Sequence, residues 1–354
     1  FDRRGISLRT LAIAASVILL LFPEVMLGAS FQLSFAATLA IISFYEAFGR
    51  MHAARGAWWS LPAHHMLGII CTSLAATLAT IPFTLYQFNR FATFAVIGNI
   101  VAIPIATLVI MPAIVLSLLL MPLGLQWLAY PALKAGIGIM LSAAFWTSAL
   151  PMAAMLLPAP TTAGLMLAAF GLLFLCLMRA RWRLLGVPAM IIGVASAALN
   201  PAPDLLISRD GRQVMARLPD GRFTLLKGSF RSFTAQAWLR AAAAAQGMKL
   251  SEADATLCDG GLCTIAREGR VLRFAKTPEA LAVACATPAD VVAALWKVES
   301  CPSAGTLLDR ESLTRFGAHA LYVRAEGVRV ESVYTAEETP RPWMVRQGFT
   351  DIAE

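Results

Sequence analysis

Acidic side chains are almost missing from the first 200 residues of this sequence, where only Asp2, Glu24 and Glu46 occur. Charge of either sign is scarce: 14% of the 354 residues are charged, whereas 58% are hydrophobic. A water-soluble chain of this length rarely tolerates such a balance, so the composition points to a membrane protein. A glycine-rich nucleotide loop, a nucleophile elbow and a zinc-hydrolase signature are also absent, which argues against work powered by ATP in this chain. There is no initiating Met before Phe1 and no charged, apolar and small-residue succession of a signal peptide, so a piece of a longer protein is expected. Histidine is rare, and His52, His64 and His65 show no metal-ligand spacing.

What is present is a series of apolar stretches, each near the roughly 20 helical residues that cross a bilayer core of about 30 Å. About seven can be read. They run from Leu8 to Phe22, Met26 to Phe48, His65 to Phe88, Phe91 to Met121, Leu125 to Leu157, Thr162 to Met178 and Leu184 to Leu199. Pro104, Pro112 and Pro131 lie in the long fourth and fifth segments and predict kinks or breaks, because each removes a backbone donor. The basic residues of this half are Arg3, Arg4, Arg9, Arg50, Arg55, Arg90, Lys134, Arg179, Arg181 and Arg183. Clusters before the first span, after the second and between the sixth and seventh fall on one side, and only Arg90 opposes them. The positive-inside rule then predicts a cytoplasmic N-terminus and, after an odd number of spans, an extracytoplasmic C-terminal domain. It also accounts for the excess positive charge without a nucleic-acid ligand. Lys134 lies close enough to its helix end to snorkel to the interface.

Past the proline-rich break from Asn200 to Asp204 the charges become mixed. Asp210-Gly211, Asp220-Gly221 and Glu268-Gly269 are turn signals between short alternating runs and read as hairpins. The strands expected are Val214 to Leu218, Phe223 to Leu226, Val271 to Phe274, Ala320 to Val323 and Val328 to Val333. Helices are expected from Ser232 to Ala245 and from Asp309 to Phe316, making residues 201–354 a small α/β or α+β domain. Cys71 and Cys176 fall in spans and read as small packing residues, whereas Cys258, Cys263, Cys285 and Cys301 lie in this domain. An even number of cysteines outside the cytoplasm suggests disulfides. Cys258 and Cys263 bracket a flexible Asp259-Gly260-Gly261-Leu262 loop, which leaves Cys285 with Cys301; other pairings stay open, since four cysteines allow three connectivities. Zinc is the rival reading, weakened by the missing Cys-x-x-Cys spacing and by His319 as the one imidazole available.

In the third span, Ser73, Thr77, Thr80, Thr84 and Gln87 are spaced four, three, four and three, which aligns five polar side chains on one helix face. Ser30, Ser34 and Thr38 share a face of the second span in the same way. Such stripes either line a water-filled path or form a packing seam with interhelical hydrogen bonds. Asn99 in the fourth segment is a further polar intrusion.

The run Gly28-Ala29-Ser30-Phe31-Gln32-Leu33-Ser34-Phe35-Ala36-Ala37 resembles the most recognisable motif of the ComEC competence family, a Gly-Ala-Ser-Phe-Gln-Leu-Ser-Phe run opening a membrane helix. Ile81-Pro82, Phe91 and Asn99-Ile100-Val101-Ala102-Ile103-Pro104 are similar to the family's following segment, and the likeness covers roughly Arg3 to Leu157. The resemblance singles out Phe31, Gln32, Ser34, Phe35, Asn99 and Pro104. It implies an all-α polytopic bundle in the bacterial inner membrane that conducts single-stranded DNA into the cytoplasm during natural transformation. Membrane lipid, a DNA receptor and cytoplasmic DNA-translocating proteins are the partners implied, with no cofactor.

Family members often carry a metallo-β-lactamase-like C-terminal domain, whose His-x-His-x-Asp-His cluster and further histidines hold two metals. Between Asp204 and Glu354 the sole histidine is His319, so the stretch from Ala289 to Asp309 resembles at best a degenerate remnant, and no nuclease activity, catalytic residue or metal site is expected. Two other functions fit the same residues: a secondary transporter for a small solute, and a membrane anchor for the outer domain.

Overall fold

Inside a bilayer every backbone amide needs an internal partner, and the apolar segments meet that need as helices. The computed structural model describes residues 7–52, 62–178, 180–243 and 257–334, with side chains described in those ranges except at 47–52 and 62–66. The chain divides into two units, Phe1–Asn200 and Pro201–Glu354. Arg3, Arg4, Arg55 and Arg179, on which much of the predicted orientation rests, lie outside the described residues, as do the side chains of Arg50, His52, His64 and His65.

The first unit contains α1 (Leu8–Leu21), α2 (Ala29–His52), α3 (Pro62–Phe88), α4 (Ala95–Ile105), α5 (Met111–Leu120), α6 (Tyr130–Ser148), α7 (Thr162–Leu177) and α8 (Gly186–Ala195). Among the described residues four helical stretches are long and apolar enough to cross a membrane: Leu67–Phe88, Ala95–Leu123, Gln126–Ser148 and Arg181–Leu199. Leu8–Leu21 and Thr162–Leu177 are shorter apolar helices. Two expected boundaries are corrected. Arg90–Ala92 and Ala154–Leu156 are strands β1 and β2, paired antiparallel, so the fourth helix begins at Ala95 and α6 ends at Ser148. Both stretches read as span because they are apolar, yet each supplies the other's backbone partners.

The prolines also separate. Pro104 lies inside α4, and a π-helical turn, Ala106–Ile110, follows it and leads into α5, whose first turn holds Pro112. Pro131 sits in the first turn of α6, directly after a 3-10 turn, Gln126–Ala129, so the helical stretch changes geometry beside it. Pro82 is buried inside α3.

α7 and α8 pack through facing glycines. A Cβ at Gly164 would stand 2.6 Å from the Gly193 carbonyl oxygen, and one at Gly171 would stand 2.7 Å from that of Gly186. Backbones can approach this closely only where both helices present no side chain. The Ser196 hydroxyl donates to Gly193 O (2.7 Å) and accepts from Thr161 N–H (3.1 Å), closing one end of the seam.

Among the described residues the second unit holds two five-stranded sheets. One is ordered β12-β11-β3-β4-β5, from Gly327–Ser332, His319–Arg324, Leu205–Ile207, Val214–Arg217 and Phe223–Lys227, and all its neighbours are antiparallel. The other is ordered β10-β9-β8-β7-β6, from Ala304–Leu308, Ala289–Ala293, Arg270–Ala275, Leu262–Arg267 and Cys258–Asp259, with β9 parallel to both neighbours. Leu205, Ile207, Val214 and Leu321 of the first sheet share a buried cluster with Ile265, Leu272, Phe274 and Val291 of the second, so the sheets pack face to face. α9 (Phe233–Ala241) covers the outer side of the first sheet through Ala235 and Leu239. α10 (Pro278–Ala286) covers the outer side of the second through Ala284, beside Val292 and Cys301. The result is a helix–sheet–sheet–helix sandwich, with α11 (Arg310–Phe316) capped by Asp309, which accepts Ser312 N–H.

The three turn signals are hairpin turns. Glu268 (φ 49°) and Gly269 (φ 76°) both take the left-handed conformation that a two-residue turn between β7 and β8 requires. The helix expected from Ser232 forms with Ser232 as its N-cap; residues 244 and 245 of that expectation lie outside the described residues. Cys258 is joined to Cys263 and Cys285 to Cys301. Cys71 and Cys176 are free and partly buried.

Candidate functional site

α2 opens beyond a 3-10 turn, Pro23–Leu27, that would leave backbone carbonyls bare at the end of the bundle. Two glutamines answer them. Gln32 Nε2 donates to Met26 O (3.1 Å), and Gln87 Nε2 donates to Leu27 O (3.0 Å) and to Gln32 Oε1 (2.9 Å). Gln32 therefore latches the start of α2 to the end of α3. Phe31 and Phe35, one helical turn apart, stack with ring centres 4.3 Å apart.

Directly beyond this latch lies a cavity of about 490 Å³ between α2, α3, β1 and α4. α2 contributes Leu33, Ser34 and Ala37; α3 contributes Ala76, Thr77, Thr80, Ile81 and Thr84; β1 and α4 contribute Phe91, Ala92, Ala95 and Asn99. Thr80 and Thr84 donate their hydroxyl protons along their own helix, to Ala76 O (2.9 Å) and Thr80 O (2.8 Å). Oxygen lone pairs are what such hydroxyls leave for an occupant. None of the lining residues is acidic, Glu46 lying further along α2 than Ala37, and Arg90, exposed on β1, precedes the lining residue Phe91.

The polar stripe of α3 is thus divided. Thr77, Thr80 and Thr84 face the cavity, Gln87 belongs to the latch, and Ser73 is buried away from it with its hydroxyl unpaired. Of the motif residues, Ser34 and Asn99 reach the cavity; Phe31, Gln32, Phe35 and Pro104 do not line it. Leu33, Ile81 and Phe91 of the apolar wall belong to the stretches that carry the family resemblance, but nothing in the sequence assigned them to this surface, since an apolar residue in a span gives no sign of which surface it faces. The glutamine latch was the missed feature with a signal, because two amides in apolar helices need partners.

In the second unit, His319 is buried on β11, and its Nδ1 lies 2.9 Å from Gly317 O, to which it donates. Burial pushes its pKa below the ordinary histidine value. Among the described residues no group of three or more His, Cys, Asp or Glu side chains could hold a metal ion.

A family model described as Competence protein matches residues 1–182. ComE operon protein 3 of Bacillus subtilis (strain 168) is 33% identical over 109 residues, which are 30% of this chain and 13% of that protein. The match therefore spans about an eighth of the relative's length. No solved structure matches the chain.

Proposed function

This chain belongs to the Competence protein family, and on that premise we propose that it serves DNA uptake for transformation, its first unit being a channel subunit that passes single-stranded DNA into the cytoplasm. The observation that carries this reading is the meeting of motif residues Ser34 and Asn99 with Thr77, Thr80 and Thr84 in one cavity. A strand of phosphodiesters is repelled by carboxylates, and this wall holds none; Thr80 and Thr84 turn only lone pairs to it, so a donor it can offer a phosphate oxygen is the Asn99 amide, beside the apolar Leu33, Ile81 and Phe91. In this reading all seven apolar segments span an inner membrane, the shorter α1 and α7 included, with the N-terminus cytoplasmic and the second unit outside. A DNA receptor outside and a translocating protein inside would complete the path.

The second unit acts in this reading without enzymatic chemistry. Its two facing sheets between helices support kinship with a metallo-β-lactamase-like sandwich, while the missing metal-ligand groups among the described residues and the engaged His319 support a degenerate one. Purified chain incubated with DNA and divalent metal should leave the DNA intact; cleavage that disappears on mutating His319 would refute this.

Uptake of labelled DNA tests the channel. Thr80→Asp should block it by repulsion, and Thr80→Lys should retain part of it. A packing seam would reject both charges alike, since either must be buried at several kcal/mol, on the order of what an unpaired membrane charge costs. Cysteines at Thr77, Thr80 and Thr84, in a background without Cys71 and Cys176, should react with a water-soluble thiol reagent. Cysteines at Leu74 and Leu78, which are exposed on another face of α3, should not. Equal silence at all five positions would leave the cavity dry and the channel reading without support.

A further inference from the structure

The exposed side of α9 carries residues that the channel reading does not use. Phe233 is 80% exposed at the first helical position, and the guanidinium of Arg240, two turns on, stands 6.0 Å from its ring centre. Lys227 and Arg231 are exposed just ahead of the helix. From Phe223 to Ala243 these three are the charged residues, and none is acidic. The opposite side of α9 is occupied: Ala235 and Leu239 are buried with Leu206 and Met215, and Ala202 packs on the same cluster. Ala202 follows Leu199, the end of the last apolar helix, by three residues, or about 10 Å of extended chain.

A lone exposed phenylalanine needs no explanation. One set among cations that have no counter-charge among the described residues, on a helix whose supporting cluster is tethered this closely to a membrane helix, has the chemistry of a bilayer interface. A phenylalanine on a surface helix gains by entering the headgroup–acyl boundary, and each Lys or Arg near an anionic surface gains about 1 kcal/mol. We propose that the Phe233–Arg240 face of α9, with Lys227 and Arg231, rests on the bilayer and binds anionic phospholipid headgroups. A nucleic-acid strand offers phosphates too, but the short connection after Leu199 keeps the second unit within reach of the bilayer at high effective concentration, which a free strand lacks. The inference goes beyond the channel reading and needs only that the apolar helices lie in a bilayer.

The test uses the full chain with Cys71→Ala, Cys176→Ala and Gln236→Cys, the exposed position between Phe233 and Arg240, carrying a polarity-sensitive fluorophore. In nanodiscs of phosphatidylcholine with phosphatidylglycerol the emission should shift to the blue, iodide quenching should be lost and lipid-borne nitroxide should quench. Phe233→Ser, or Arg231→Glu outside the helix, should reverse all three in the same discs. Water-like emission with full iodide quenching would overturn the proposal. So would equal protection in phosphatidylcholine alone, which removes the headgroup, and protection only when an oligothymidylate is added, which assigns the face to single-stranded DNA.

Discussion

Asp204 and His319 show how single polar residues hold the second unit. Asp204 is buried where β3 begins; its Oδ2 accepts Val323 N–H (2.8 Å) from β11, and its Oδ1 accepts from Arg267 of the facing sheet. One carboxylate thereby ties the two sheets together. Removing it leaves an amide and a partly buried guanidinium without their partner, so Asp204→Ala should destabilise the unit by about 3 kcal/mol, read in a denaturant titration. His319 acts through protonation. Its folded pKa lies below the unfolded value because burial disfavours the cation, so the unfolded chain takes up a proton first as pH falls. The stability it contributes is fully present above about pH 6.5 and declines below that value toward the folded pKa. Burial pushes the Asp210 and Asp309 carboxyls up, but the hydrogen bonds they accept, from Ser208 and Ser312 among others, together outweigh it, and the Val271 N–H lowers Asp290, so these three weaken the unit only in a separate, more acid window. His319→Gln should flatten the upper slope and leave the lower one; an unchanged upper slope would remove His319 as its source.

Among elements, the α7–α8 seam makes the sharpest demand on sequence. Gly193→Leu would force a side chain against the backbone of Gly164 and should cost about 3 kcal/mol or more by overpacking, whereas Gly138→Ala inside α6, with nothing near its Cβ, should cost nothing and gain up to about 1 kcal/mol of helix propensity. Thermal unfolding of both variants in one detergent checks the contrast. Much of this scale was legible in the sequence. Asp220-Gly221 and Glu268-Gly269 announced their hairpins because a left-handed turn restricts which residues can form it. The membrane helices were legible as apolar runs, but their ends were not: Phe91 and Ala154-Met155-Leu156 are as apolar as the spans beside them, and a backbone ladder between distant segments leaves no periodicity to read. The candidate cavity was half legible. Thr77, Thr80 and Thr84 followed from helical spacing, while the departure of Ser73 and Gln87 from it depends on what α2 places opposite, which spacing within α3 cannot carry.

At the scale of the whole molecule, two units that divide at Asn200 differ in what reductant can reach. Both disulfides lie in the second, closing separations of 16 residues for Cys285–Cys301 and 5 for Cys258–Cys263. Loop-closure entropy makes the longer one worth about 3 kcal/mol and the shorter about 2 kcal/mol. Reductant should therefore lower the unfolding transition of the second unit and leave that of the helical unit in place; a shift of both together would mean the two unfold as one. Disulfides also bear on orientation, because they persist in oxidising compartments, and an outer second unit is what the arginine clusters predict. The arginines and the cysteines are independent signals, one read at span ends and the other in a sandwich, and they agree only if an odd number of segments crosses. A reporter active outside the cytoplasm, fused after Pro203, should be active, and one fused near Arg181 should be silent. Activity at both would mean that α8 does not cross. The reverse pattern would put the second unit in the cytoplasm, where its cysteines should be found reduced and the outer placement of the sandwich would have to be given up.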